Sequence, residues 1–371
     1  MKKQIPTTIG ILVIVLLAGG FVGASVLFLS QEGREVADED EEELTEEKID
    51  EEIKEEHQEP TPEEYFDFDS EEQAITDYEP DNPHHPDIVI PDKIDGVTVS
   101  KIGNRAFQDG GDQHDLGNDL ESVVIPYNVE VIEGRAFFRN DLTEITIPDS
   151  VEFLSGFAHN NLTEVAIPDS VEVIGSRAFS HNNLTELTIS NSVEKIERAA
   201  FARNSLTKVI IPDSVKEIGE RAFVSNNLTK VTIPNEVKEM EREVFQDNNL
   251  TEVTIPESVE VIETHAFRDN NLTKVIIPDS VEEMEPRVFQ GNDLTEVFIG
   301  QGMKRKAIEI RAFKDNNITK ITIPENVILA NAFPSNPGDF ESFHENEGSQ
   351  AGIYEWKEAE SEWERTGDYP E

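Results

Sequence analysis

Two histidines occupy equivalent places in adjoining, similar stretches: His159 in A-H-N-N and His181 in S-H-N-N. Imidazoles stacked at one-unit spacing come within reach of one metal ion, but a zinc site needs at least a third nitrogen, sulfur or oxygen ligand. None of obvious type lies nearby, so both read as surface turn residues and no metal is assigned to them. Residues 109–119, DGGDQHDLGND, are rich in Asp and Gly but lack the D-x-D-x-D-G…E spacing of a calcium loop. His84, His85, His114 and His265 form no further pattern. Ser150, Ser170, Ser214 and Ser258 recur inside one type of turn, P-D-S-V with P-E-S-V at Ser258, and so read as structural. G-x-S-x-G, H-E-x-x-H, P-loop and G-x-G-x-x-G patterns are all missing, as is cysteine. Disulfides, thiolate metal sites, cysteine nucleophiles and a lipobox are thereby excluded. The expectation is a non-enzymatic protein with no cofactor and no small-molecule substrate. Calcium, through the acidic stretches, is the weak exception.

The elements that position these residues are repeats. The stretch LTEVTIPESVEVIETHAFRDNN (250–271) recurs from Leu120 onward. Its leading residue returns as Leu142, Leu162, Leu184, Leu206, Leu228, Leu250, Leu272, Leu294 and Ile318, mostly in steps of 22. Its closing phenylalanine returns in phase from Phe137 to Phe313. A fixed period of this length is the signature of a solenoid. Within a unit, Val253 and Ile255 point to one side of a strand, and Pro256 with its successors ends it. The chain then buries Val259 and Ile262, enters a short helical or 3₁₀ turn over residues 264–267, and returns through Asn270 and Asn271, which tolerate left-handed backbone. One unit cannot offset its own ordering entropy, so stability must come from stacking.

The units IPDSVEVIGSRAF (167–179), IPDSVKEIGERAF (211–223) and IPESVEVIETHAF (255–267) resemble the BspA-like, or Treponema pallidum-type, leucine-rich repeat. Residues 88–107, IVIPDKIDGVTVSKIGNRAF, look like that family's first unit, with its I-D-G-x-x-V insertion. Residues 351–365, AGIYEWKEAESEWER, resemble a hairpin that often follows such arrays. The resemblance covers about residues 73–365. It implies a strand-dominated α/β leucine-rich-repeat solenoid, one curved parallel sheet with short helical or 3₁₀ turns, and a role in adhesion to macromolecules or cells. Two units depart from the period: 142–161 is two residues short, and 294–317 carries an extra loop over 300–306.

In chain order, residues 1–8 are a short tail carrying Lys2 and Lys3, and residues 9–29 are an uncharged apolar run long enough to span a bilayer. Positive charge before the run and acid after it set the tail inside and the repeats outside. A cleaved signal peptide with small residues at Val22, Gly23 and Ala24 is the competing reading, and both export the repeats. Residues 30–72 form an acidic stalk: 22 acidic against three basic side chains fall between Glu32 and Glu72, a composition that stays extended. Residues 73–119 hold an N-terminal cap and the first unit, 120–333 the array, and 334–371 an acidic segment with a possible capping hairpin. The net charge of −47 sets nucleic acid aside as a partner.

On the exposed face of the strands one column reads Ser122, Glu144, Glu164, Glu186, Lys208, Lys230, Glu252, Lys274, Glu296 and Lys320. The next reads Val124, Thr146, Ala166, Thr188, Ile210, Thr232, Thr254, Ile276, Phe298 and Thr322. This is either a solvated sheet in which Lys and Glu relieve each other's charge, or a ligand face of the kind solenoids offer to large partners. The expectation is a membrane-anchored surface protein whose partner is an extracellular protein or glycan. The alternative is a spacer or envelope-assembly element.

Overall fold

The computed structural model describes residues 59–79, 86–108, 119–303, 307–308, 311–325, 327–329, 332, 340, 344 and 350–370. Residues 60–371 form one compact unit. The apolar run 9–29, most of the acidic stalk, nearly all of the loop 109–119 and Phe333 lie outside the described residues. Among those described, no helix is long and apolar enough to cross a membrane.

Most repeats contribute two strands, and those that begin at Leu142 and Leu206 form only the second. The first carries the expected alternation: Val165, Val231 and Val275 point inward, while Glu164, Lys230 and Lys274 point out. These strands pair in parallel and in strict register, Glu164 beside Glu186, Lys230 beside Glu252, Lys274 beside Glu296. The second strand is only two residues long. Phe153–Leu154, Val173–Ile174, Lys195–Ile196 and Glu217–Ile218 form one run of it, and Glu239–Met240, Val261–Ile262 and Glu283–Met284 another. The architecture is thus a two-ladder β-solenoid, where one curved sheet was expected.

The expected helical turn is also replaced. Ala266 N–H donates to Glu263 O (3.2 Å) and Arg268 N–H to His265 O (3.1 Å). These are single-turn bonds, and His265 at φ 64° and Asp269 at φ 54° keep them from propagating. Such a left-handed pair, four residues apart, recurs as Arg177 and His181, Arg221 and Ser225, and Arg311 and Asp315. Sequence reasoning gave the left-handed role to Asn270 and Asn271. The structure gives it to the residue before them and buries the asparagine. The short unit absorbs its deletion at Gly156, whose φ is 101° and where a Cβ would lie 2.7 Å from Glu133 O, so only glycine fits.

Two side-chain ladders hold the turns together. The rings of Phe107, Phe137, Phe157, Phe179, Phe201, Phe223, Phe245, Phe267, Phe289 and Phe313 stack in one file, with neighbouring centroids 4.8 to 5.8 Å apart. Beside it runs a file of buried asparagines. Asn270 Oδ1 accepts from Leu250 N–H (3.0 Å), and its Nδ2 donates to Phe245 O (2.9 Å) and Phe267 O (3.2 Å), tying each turn to the one before it. Asn160, Asn182, Asn204, Asn226, Asn248, Asn292 and Asn316 repeat the device.

Both ends are covered. Phe66–Asp69 and Ala74–Tyr78 form an antiparallel hairpin whose Tyr78 ring meets Phe107 at 5.4 Å. The insertion IDGV makes a second tight hairpin, Lys93–Ile94 with Val97–Thr98, turning at Asp95 (φ 51°) and Gly96 (φ 76°). At the other end Gly352–Lys357 pairs antiparallel with Lys320–Ile323 and then with Glu362–Gly367. Trp363 packs on Phe340 at 4.8 Å there, and Tyr354 is fully buried.

Candidate functional site

The repeat spacing brings the first-ladder column into one row, although the ladder itself is divided among separate short sheets and Glu144 and Lys208 lie outside its strands. Glu144, Glu164 and Glu186 are exposed in adjoining repeats without an ion pair among the described residues, so this part of the face is acidic. Beyond Lys208, also unpaired there, the row alternates. Lys230 binds Glu252 at 2.6 Å, Lys274 binds Glu296 at 3.0 Å, and Lys320 binds Glu296 at 3.3 Å. Hydrogen bonds from Lys274 and Lys320 hold the Glu296 carboxyl below its ordinary range. Exposed pairs of this kind are each worth about 0–1 kcal/mol, so they neutralise the face more than they stabilise it.

The neighbouring column is apolar at intervals. Ile210 is 66% exposed and Ile276 54%, with Val124 nearer the N-terminal end at 48%. Its far end is closed by the C-terminal segment. The Phe298 ring lies 5.6 Å from that of Tyr369, whose hydroxyl donates to Ile299 O at 2.9 Å, and Thr322 is buried where Ile353 pairs with it. Phe298 and Lys320, read from sequence as face residues, therefore sit beside the terminal hairpin, and the open face runs from Glu144 to Lys274. No sequence signal near Phe298 pointed to Tyr369, because the contact joins residues 71 positions apart.

The second ladder presents a different feature. It is interrupted between Glu217–Ile218 and Glu239–Met240, which belong to separate sheets. An open cavity of ≈ 760 Å³ lies at the interruption, lined by Lys195, Lys216, Glu217, Lys238, Glu239 and Glu241 among others. Burial, together with Glu263, Glu239 and Glu220, pushes the Glu241 carboxyl up to about 7. A carboxyl that keeps its proton to higher pH in the folded state than in the unfolded chain contributes stability below about pH 4.5, and loses it as pH rises through about 7. Glu241→Gln is therefore expected to raise stability at pH 8 by about 1–2 kcal/mol, after allowance for solvent screening, and to change little at pH 4. Urea denaturation at the two pH values checks this.

His159 and His181 do come together, their rings parallel with centroids 4.1 Å apart. Their charged surroundings are cationic. Burial first, then Arg139 and Arg203, lowers His159; burial, then His159, Arg203 and Arg177, lowers His181 to about 4. Among the described residues, no group of three or more His, Cys, Asp or Glu is placed to hold a metal ion. Ser150, Ser214 and Ser258 donate to Val129 O, Val193 O and Val237 O of the preceding turn, a structural role.

The sequence pattern of the BspA type leucine rich repeat region matches six copies across residues 100–227, 155–273 and 216–337, together well over half of the chain. No curated protein matches at a significant level. Among solved structures, a leucine-rich repeat protein from Bacteroides ovatus is similar over 71% of this chain and 75% of its own, at 22% identity and a TM-score of 0.54. The pneumococcal vaccine antigen PcpA is similar over 72% of this chain and 82% of its own, at 21% identity and a TM-score of 0.43. A leucine rich cell surface protein from Faecalibacterium prausnitzii is similar over 75% and 94%, at 20% identity and a TM-score of 0.39. The Bacteroides structure shares the fold, and at these identities the likeness shows nothing further. With its repeat pattern matched across the array and its two-ladder solenoid in view, the chain belongs to the BspA-type leucine-rich repeat family.

Proposed function

We propose that this is a non-enzymatic cell-surface protein that presents its solenoid outside the cell and binds a macromolecular partner, protein or glycan, on the open first-ladder face. The observation that carries the reading is that face itself. Between Glu144 and Lys274 a row of charged side chains lies beside Ile210 and Ile276, both more than half exposed, on a face that no other part of the described chain covers. A broad surface with scattered apolar anchors among charges suits a large partner better than a small ligand. Export is supported by Lys2 and Lys3 ahead of the apolar residues 9–29, with a dense acidic run behind. Repeating units distribute like residues in columns, whereas an active site gathers unlike residues at one point, and the columns seen here are of the first kind.

The test is charge reversal on the open face. Lys208→Glu with Lys230→Glu is expected to weaken binding of a partner retained by the full chain by about ten-fold or more. Reversal of Lys195 and Lys216 on the second ladder is expected to leave it within about two-fold. Equal losses from the two pairs would move the site off this face. Retention of nothing but the chain itself would favour a spacer or assembly role.

A further inference from the structure

The second ladder is broken at one step, and carboxyls gather at the break. From residue 130 to residue 285, the turns on either side of every other step are tied by two backbone bonds that flank the short strand. Lys216 N–H donates to Glu194 O (2.9 Å) and Gly219 N–H to Ile196 O (2.8 Å). At the next step but one, Glu260 N–H donates to Lys238 O (2.8 Å) and Glu263 N–H to Met240 O (2.8 Å). At the step between these two neither bond forms: Lys238 N–H makes none to Lys216 O, and Glu241 N–H none to Ile218 O. The open cavity of ≈ 760 Å³ lies there instead. Farther round the same turn the packing is whole. Arg221 N–H donates to Arg242 O (2.9 Å), the rings of Phe223 and Phe245 stack at 5.6 Å, and Asn248 Nδ2 donates to Phe223 O (3.0 Å). The step is therefore open on one side and held on the other.

Elsewhere in the array the glutamate at this place caps the turn before it. Glu197 accepts from Ser176 N–H (3.0 Å), Glu263 from Arg242 N–H (2.9 Å) and Glu285 from Thr264 N–H (3.0 Å). Glu241 makes no such bond to Glu220 N–H among the described residues, and stands half-buried in the cavity wall. Glu239 on its own turn, Glu263 on the next and Glu220 on the one before all bear on it. The bases near the cavity are already engaged. Lys195 binds Glu217 (2.7 Å), Lys216 binds Glu194 (2.8 Å), Arg198 binds Glu220 (3.3 Å) and Lys238 reaches Glu260 (3.7 Å). Arg221 and Arg242 turn to Glu243, at 2.6 and 3.0 Å. Glu197 and Glu236 only add negative charge to the wall. We propose that this step is a pH-operated hinge: with Glu241 protonated the turns stay closed across it, and ionisation of Glu241 beside Glu239 and Glu263 parts them on the second-ladder side, while the phenylalanine and asparagine files hold the other. Like charges in a half-buried site repel, and here no backbone bond resists their separation. The sign follows from burial and the neighbouring glutamates, which push Glu241 up to about 7. The closed form is favoured below that pH and lost as pH rises through it.

The hinge is separate from binding on the first-ladder face, and its failure would leave that reading intact. The experiment is amide hydrogen exchange on the full chain at pH 6 and pH 8, read residue by residue. Each rate is divided by the intrinsic rate at that pH, so that ordinary base catalysis drops out. The reporter is the Arg221 amide, whose bond to Arg242 O is the first one past the cavity. Its counterparts one turn either way are the amides of Ala199, bonded to Glu220 O, and Glu243, bonded to Thr264 O. Protection of Arg221 is expected to fall by about ten-fold or more between pH 6 and pH 8, after allowance for solvent screening. Ala199 and Glu243 are expected to change by less than about two-fold. Glu241→Gln, which keeps the shape and removes the charge, is expected to abolish the fall at Arg221. Glu260→Gln, on the same ladder but outside the cavity wall, is expected to keep it. Steady protection of Arg221 in the unaltered chain, equal falls at all three amides, or a fall that persists in Glu241→Gln would overturn the assignment.

Discussion

Asn248→Ala is expected to destabilise the solenoid by about 4 kcal/mol, whereas Asn249→Ala, one position on, is expected to change stability by less than about 0.5 kcal/mol. The two residues are chemically identical and adjacent, and only their environments differ. Asn248 is buried, accepts from Leu228 N–H at 3.1 Å, and donates to Phe223 O at 3.0 Å and Phe245 O at 3.2 Å. Alanine would strand one donor and two acceptors away from water, each at a cost of about 1–3 kcal/mol before relaxation. Asn249 is exposed, and its recorded bond to the preceding turn is made by the backbone, N–H to Leu228 O at 2.9 Å, which alanine keeps. Because each repeat touches only its neighbours, a fault in the middle of the array also weakens the coupling between its two parts. A broadened or two-step urea transition in Asn248→Ala, beside a single sharp one in Asn249→Ala, is the expected signature. Matching curves for the two variants would contradict the role given to the asparagine file.

The second large effect is expected at Phe223. Its ring is fully buried between Phe201 and Phe245, at centroid distances of 5.5 and 5.6 Å. Phe223→Ala removes stacking on both sides and leaves a cavity that the rigid ladders cannot close, so a loss of about 3–5 kcal/mol is expected. Phe223→Leu keeps most of the volume and should cost about 1–2 kcal/mol. The ratio is informative: similar losses from both would mean that ring stacking, not volume, dominates. Chemical denaturation of the three proteins at one pH measures it.

The comb of leucines and phenylalanines was legible in the sequence because each tooth is an apolar side chain in a fixed phase. Stacking adds no new information about which way such a residue points. The Asp95-Gly96 hairpin was open to the same kind of reading, since that dipeptide between Ile94 and Val97 is a turn signal in its own right. Asn270 was misread because an asparagine in a tight return and one buried as a bridge look the same in a single repeat. Its partners, Leu250 N–H and Phe245 O, exist only when the neighbouring turn is in place. The second ladder was hidden for a similar reason. Val261–Ile262 is too short for its alternation to differ from that of a turn, and it becomes a strand only by pairing with Glu239–Met240 and Glu283–Met284. At the candidate face, the columns and their charges followed from the period alone. Which end stays open depended on Tyr369 and the terminal hairpin, contacts that no periodicity encodes.

The most direct test of surface presentation is a labelling experiment on intact cells that make the full chain. A membrane-impermeant amine reagent is applied before or after lysis, and modified lysines are located by mass spectrometry. Lys208 and Lys230, both exposed on the first-ladder face, are expected to be modified as fully in intact cells as in lysed ones. Protection of both lysines until the cells are broken would contradict presentation of the solenoid outside the cell.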